Sequence, residues 1–172
     1  MTITFESLTS LPAHAEIDPL LSAFYAAALG MLGAMGGPSV DAQRAIDDYW
    51  EHAAEFLPPH GRTWIARNPV QGVIGMGTMR RVRPDAGEMK RLFVRADFRG
   101  QGIARRLVQA RIDDARAMGW RHLVVDALRN NKEMQGLYES LGFRRTDRYP
   151  ESASATLMPE LEAMLAYMQL DL

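Results

Sequence analysis

Residues 89–94, Met-Lys-Arg-Leu-Phe-Val, read as a strand, and the chain then turns through Asp97-Phe98-Arg99-Gly100-Gln101-Gly102 into a helix that runs to Met118. After Gly119 comes a nearly continuous apolar run, 122–128, which reads as a strand buried on both faces. A strand–helix–strand unit in one sheet closes as a right-handed crossover, so its two strands lie parallel. The helix carries Ala104, Val108, Ile112 and Ala115 on one side, with Arg105, Arg106, Asp113 and Arg116 elsewhere, a pattern that packs one face on a sheet. This unit makes the chain α/β and sets its centre.

The turn into that helix also carries chemistry. A helix start exposes up to four backbone N–H groups without internal acceptors, and the helix dipole adds partial positive charge there. Such an end accepts an anion, and Gly100 and Gly102 have no Cβ to hold a phosphate off the backbone. Arg99 could add a forked donor. The competing reading is a strand-to-helix turn that uses glycine only for conformational freedom. The spacing is neither the Gly-x-Gly-x-x-Gly dinucleotide fingerprint nor a phosphate loop ending in Gly-Lys-Ser/Thr.

Around this centre the chain alternates short elements without repeats. Residues 2–8 alternate as a strand, 18–35 read as a helix, and Ser39 or Asp41 is placed to cap a second helix through Phe56. Strands follow at 64–66 and 73–82, then the turn 83–87 before the central unit. Asn130 with Glu133 is read as a capping box for a helix ending at Leu141, closed by Gly142. Residues 143–148 and 164–170 are the last strand candidates. At 172 residues the chain suits one domain, 1–172, better than two.

Composition narrows the function classes. There is no cysteine, which removes disulfides, thiolate metal sites and a cysteine nucleophile, and fits a cytoplasmic setting. His14, His52, His60 and His122 form no paired metal spacing, so no metal is expected. The serines at 39, 140 and 152 have no nucleophile-elbow context. No unbroken apolar run reaches the roughly 18–20 residues a membrane span needs, and the acids Glu16 and Asp18 precede the most apolar early stretch where a signal peptide would be basic. Neither a membrane nor a signal peptide is expected. Charge is lopsided: one basic side chain against eight acidic ones in residues 1–60, and nineteen against thirteen thereafter. The basic residues crowd between Arg80 and Arg106, which suits a polyphosphate ligand or a plain solvated face. A nucleic-acid module is disfavoured by the near-neutral net charge and the lack of interleaved exposed aromatics.

Two motifs together carry a family resemblance. Arg99-Gly100-Gln101-Gly102-Ile103-Ala104 resembles the Arg/Gln-x-x-Gly-x-Gly/Ala signature of the GCN5-related N-acetyltransferase (GNAT) superfamily, and Leu92-Phe93-Val94 resembles its cofactor-binding strand. Residues 131–143, Asn-Lys-Glu-Met-Gln-Gly-Leu-Tyr-Glu-Ser-Leu-Gly-Phe, are similar to its Asn-x-x-Ala-x-x-Leu-Tyr-x-x-x-Gly-Phe, with Met134 in place of a small residue. The resemblance covers about residues 63–172. It implies a mixed, mostly antiparallel twisted sheet of six to seven strands flanked by helices and splayed between its two parallel central strands. It further implies that acetyl-CoA is the cosubstrate. The backbone of Leu92, Phe93 and Val94 would pair with the pantetheine arm, and the pyrophosphate would sit on the amides of Arg99, Gly100, Gln101, Gly102, Ile103 and Ala104, with Arg105 nearby. Asn131 would bond the pantetheine, and the Val94 N–H or a neighbour would face the thioester oxygen.

Tyr138 falls at the family's general-acid position, against a plain core role on the helical spacing Met134, Leu137, Tyr138, Leu141. Glu88 is the candidate general base, against a salt-bridge partner for a nearby arginine. The expected reaction is direct transfer of an acetyl group to a primary amine, with a small-molecule acceptor ahead of a protein or peptide one and of a non-catalytic acyl-CoA sensor. A homodimer is left open. The acceptor pocket is expected from 18–56 and 149–163, where Asp41, Asp47, Asp48, Glu51 and Glu55 would draw a cationic amine unless they are simply solvated.

Overall fold

The computed structural model describes residues 2–172. Seven strands form one sheet: β1 (Thr4–Ser7), β2 (Gly61–Asn68), β3 (Gly72–Arg83), β4 (Ala86–Val94), β5 (His122–Leu128), β6 (Arg144–Thr146) and β7 (Leu165–Asp171). Their spatial order is β1-β2-β3-β4-β5-β7-β6. Every neighbouring pair is antiparallel except β4 and β5, joined by α3 (Ile103–Ala117) as the crossover rule requires.

Helices cover both faces. α3 and α4 (Lys132–Ser140) pack on one side, where Leu92, Val94, Leu107, Ile112, Val125, Tyr138 and Met168 form the main core. α1 (His14–Ala34) and α2 (Ala42–His52) pack on the other, around Ile17, Leu21, Ile46, Tyr49, Phe56, Ile65 and Met76. Burying each such side chain is worth about 1.5–3 kcal/mol, so these two layers hold the sheet between them. A third, smaller cluster of Val124, Tyr149, Ala155, Leu165 and Tyr167 lies under α5 (Ala153–Leu157).

Several expectations shift. Asp41, not Ser39, caps α2, accepting from the Gln43 N–H at 2.9 Å, and α2 ends at His52 with a 3-10 turn carrying on to Phe56. The cap of α4 is Asn131, whose Oδ1 accepts from the Met134 N–H at 3.2 Å. Asn130 instead donates from Nδ2 to the Met31 carbonyl at 2.8 Å, tying α1 to the start of α4. α5 was not anticipated, because five residues are too few to show helical periodicity. α1 begins four residues earlier than read and carries Pro19 as its sixth residue, where the ring forgoes the bond to the Ala15 carbonyl. At 21 residues, with mean hydropathy 1.4 over its most apolar window, it meets a spanning threshold in length and composition that run-counting had put out of reach. In the fold its Ile17, Leu20, Leu21 and Leu32 are buried against the rest of the domain.

Candidate active site

The sheet opens at its one parallel pair. β4 and β5 are in register from Ala86 with His122 to Met89 with Val125, and the pairing stops there. Beyond Met89, β4 still pairs with β3, but Met76 aligns with Phe93 and Thr78 with Lys90. Arg91 and Leu92 therefore oppose Gly77 alone, which is a β-bulge, and Arg91 takes a positive φ of 50°. The bulge bends β4 away from β5. The Arg95 N–H donates to the Ile74 carbonyl across the β3 side, so by the alternation of ladder bonds the Val94 amide faces the other edge, where β5 has already left.

At the foot of this split lies the turn into α3. The first backbone bond of the helix runs from the Arg106 N–H to the Gly102 carbonyl. Among the described residues, the amides of Gly100 to Arg105 have no protein acceptor, and Gly102 as N-cap has no side-chain cap. Gly100 and Gly102 both sit at φ 75°, and a Cβ built on either would meet nothing within 4 Å. The glycines therefore serve two ends at once: they permit left-handed backbone and they leave the approach to the amides open. The Arg99 amide is partly spoken for, donating to Ala96 at 3.3 Å. Arg99 Nε donates to the Val94 carbonyl at 3.1 Å and its guanidinium lies 5.4 Å from the Phe93 ring centre, which leaves two nitrogens of the fork free. Arg105 reaches the Ser140 hydroxyl at 2.5 Å and links the start of α3 to the end of α4. Ile103 is buried, Ala104 packs against the core, and Gln101 is exposed.

Tyr138 projects from α4 into the main core, 2% exposed, edge-on to Phe143 at 5.0 Å. Burial pushes its hydroxyl above the usual phenol range, and the Arg111 guanidinium pulls in the other direction. Arg111 is itself fully buried. Its Nη1 donates to the carbonyls of Thr78 at 2.8 Å and Lys90 at 3.4 Å, and its Nε to Leu107 at 3.0 Å. Nη2 has no partner. Gly77 makes room for it: a Cβ there would lie 2.7 Å from the guanidinium carbon. The bulge, the buried cation and Tyr138 are thus one assembly. Arg111 was legible as a charge in the apolar stripe of α3, four residues after Leu107, and sequence reasoning passed over it.

Asn131 spends its Oδ1 on the helix cap and keeps Nδ2 free. Glu88 is 0% exposed. Its Oε1 accepts from the Tyr149 hydroxyl at 2.9 Å and the Ala153 N–H at 3.1 Å, and its Oε2 from Arg80 Nε at 3.2 Å. Beside it, Lys90 Nζ donates to Asp126 Oδ1 at 3.1 Å and to the Ser154 hydroxyl at 2.8 Å, and the Ser152 hydroxyl donates to Asp126 Oδ2 at 2.8 Å. Burial alone would raise Asp126, but the Lys90 ammonium and the two hydroxyls hold it below the usual carboxylate range. Burial would likewise lower Lys90, and Asp126 and Glu88 hold it above its ordinary value. Glu88 is expected as a general base or as a salt-bridge partner; the geometry ties it to Arg80 and to the segment from Tyr149 to Ala153. Nothing local in the sequence brought 88, 90, 126, 149, 152 and 154 together, because the contact is made by sheet order.

The acids of residues 41–55 are occupied or solvated. Asp41 caps α2, Asp47 accepts from Gln43 and Glu55 pairs with Arg80 at 2.7 Å. Among the described residues no group of three potential ligands could hold a metal ion. A concavity of about 380 Å³ beside α1, lined by Glu16, Leu20, Val73 and Arg95, shares no residue with the groove between β4 and β5.

A mixed sheet split at its parallel pair, with a row of free amides at the foot of the split, places the chain in the acyltransferase fold class. In fold it matches a GNAT family acetyltransferase from Staphylococcus aureus, TM-score 0.71, 17% identity, covering 98% of this chain and 99% of that one. It also matches a GNAT family acetyltransferase from Elizabethkingia anophelis with acetyl-CoA bound, TM-score 0.63, 20% identity, covering 99% and 98%. Residues 33–143, more than half the chain, match the acetyltransferase (GNAT) family, and the chain belongs to that family. It is 38% identical over 74 residues to an uncharacterised N-acetyltransferase of Dictyostelium discoideum, covering 41% of this chain and 34% of that one. With an uncharacterised N-acetyltransferase of Schizosaccharomyces pombe it shares 31% over 117 residues, covering 66% and 70%.

Proposed function

We propose that this protein transfers an acetyl group from acetyl-CoA to the primary amine of a small molecule, by direct attack within a ternary complex. The observation that carries the reading is the row of acceptor-free amides from Gly100 to Arg105 at the foot of a split beginning beyond Met89 and Val125. Six N–H groups at a helix start, with two open glycines, suit a diphosphate better than a sulfate-sized anion. Family membership and the acetyl-CoA bound to the Elizabethkingia neighbour support the same cosubstrate.

In this reading the edge of β4 at Leu92–Val94 aligns the thioester arm as an added strand, Asn131 Nδ2 fixes it from the α4 side, and the Val94 N–H faces the carbonyl oxygen where negative charge develops. The acceptor nitrogen forms a bond to the carbonyl carbon, the carbon–sulfur bond breaks, and Tyr138 gives its proton to the departing thiolate. Glu88 takes the amine's proton only when the segment from Tyr149 to Ala153 lifts off it. With that segment down, Glu88 and Asp126 anchor the wall of the acceptor side.

Thiol release from acetyl-CoA across a panel of amines, polyamines, amino acids and peptides tests the reading. Turnover with small amines supports it. Turnover confined to peptides moves the acceptor to proteins, and CoA binding without turnover on any amine leaves an acyl-CoA sensor.

A further inference from the structure

Arg91 has no task in the scheme above. It stands in the bulge at φ 50°, two residues past the last β4–β5 pair, and turns toward α1 and α2. Its guanidinium carbon lies 4.9 Å from the ring centres of both Tyr49 and Phe56. Its Nε donates to the Tyr25 hydroxyl at 3.2 Å. Among the described residues no carboxylate lies within ion-pair distance of it, and its two terminal nitrogens make no hydrogen bond. They are not sealed in either, since the residue is only half-buried. Arg80, Arg83 and Arg95, on β3 or just after β4, each hold a carboxylate, whereas Arg81 of β3, like Arg91, holds none among the described residues and lies over an aromatic ring, that of Trp120.

The neighbouring acids already have donors. Glu88 and Asp126 face Lys90 and Arg80, Glu55 pairs with Arg80, and Asp18 accepts from Trp50 Nε1 at 2.7 Å. These four carboxylates are thus each hydrogen-bonded within the fold, while the terminal nitrogens of Arg91 are left as free donors. The walls beside it are apolar and aromatic: Phe24 packs edge-on to Phe93 at 5.9 Å, and Tyr25 and Tyr49 complete the surround. A planar guanidinium held on aromatic rings, with its terminal pair free, matches the two oxygens of a carboxylate.

We infer that Arg91 is a specificity-determining residue for the acceptor, and that the acceptor is an amino acid–like amine carrying a carboxylate and an apolar side chain. This rests on the acetyl-transfer reading. Two oxygens on the Arg91 fork orient the molecule, the aromatic wall takes its side chain, and its amine faces the split in the sheet. A cationic polyamine has no bond to gain from the Arg91 fork.

The test pairs each apolar amino acid with the same amine lacking the charge: phenylalanine against phenylalaninamide and phenethylamine, leucine against leucinamide. Thiol release is measured for the native protein, Arg91→Gln, Arg91→Lys and Tyr25→Phe, with folding checked by thermal melting and CoA affinity by calorimetry. The native protein should prefer the carboxylates by about ten- to a hundredfold in kcat/KM, the range expected of a charge-assisted fork. Arg91→Gln should bring that ratio near one with CoA affinity unchanged, Arg91→Lys should keep part of it, and Tyr25→Phe should lower it less. Equal use of carboxylate and amide by the native protein, or an undiminished ratio in Arg91→Gln, overturns the assignment. If no amine turns over, the acetyl-transfer reading fails separately. Calorimetric binding of phenylalanine over phenylalaninamide to the CoA complex then decides for or against the carboxylate site.

Discussion

Tyr138 and Arg111 show how far single residues can be pressed. A phenol buried in the main core stays protonated, and its raised value keeps it so well past neutrality. A group that must give up a proton is then in the right form throughout the physiological range. The sign follows directly: activity that needs protonated Tyr138 is lost only as pH rises through its folded value, which lies above the ordinary phenol near 10. The kcat profile should show no alkaline decline below about pH 10 that Tyr138 could cause. Tyr138→Phe should lower kcat by about a hundredfold or more, the scale of a general acid, with the acetyl-CoA KM nearly unchanged. Equal turnover in the variant would return Tyr138 to a packing role. At the other end of the groove, Gly102→Val combines a left-handed backbone position with a side chain in the open approach. Calorimetry should find CoA affinity reduced at least tenfold, and unchanged affinity would take the loop out of the site.

At the scale of elements, the bulge in β4 is held from below by α3. The guanidinium of Arg111 bonds carbonyls on both strands of the β3–β4 pair and occupies the space a Cβ on Gly77 would need. Gly77→Ala should displace it, costing about 1–3 kcal/mol in chemical unfolding as an overpacked core does, and should lower kcat more than it raises the acetyl-CoA KM. A second element, α5 with Tyr149, docks on Glu88 and Asp126. Asp126 titrates below its unfolded value, so the stability it contributes is present above about pH 4 and is lost as pH falls through its folded value. Asp126→Asn should therefore flatten the acid limb of the stability profile, followed by urea unfolding between pH 2 and 6.

For the whole molecule, the proposed cosubstrate would bridge both halves of the split and bind the folded state alone. CoA at a hundred times its dissociation constant adds about 2.7 kcal/mol. For a domain of this size that corresponds to a rise of roughly 5–11 °C in melting temperature. Gly102→Val should lose most of the rise at the same CoA concentration, and a native melting point indifferent to CoA would contradict the proposed cosubstrate.

The central crossover, its parallel strands and the glycine-bearing turn were legible from local pattern, because periodicity and punctuation act over a few residues. Tyr138 and Asn131 were singled out through the resemblance of residues 131–143 to a family motif, and they lie on α4 and at its cap. The short α5, the shift of the α4 cap to Asn131, and the buried set of Glu88, Lys90, Asp126 and Tyr149 were not legible. Those depend on β7 entering between β5 and β6 and on which helix covers which face. Local sequence determined where the amides of Gly100 to Arg105 would be left free. Only the tertiary structure decided which arginines around the split are paired with a carboxylate and which are not, since the neighbours that decide it lie 25 or 66 residues away in the chain.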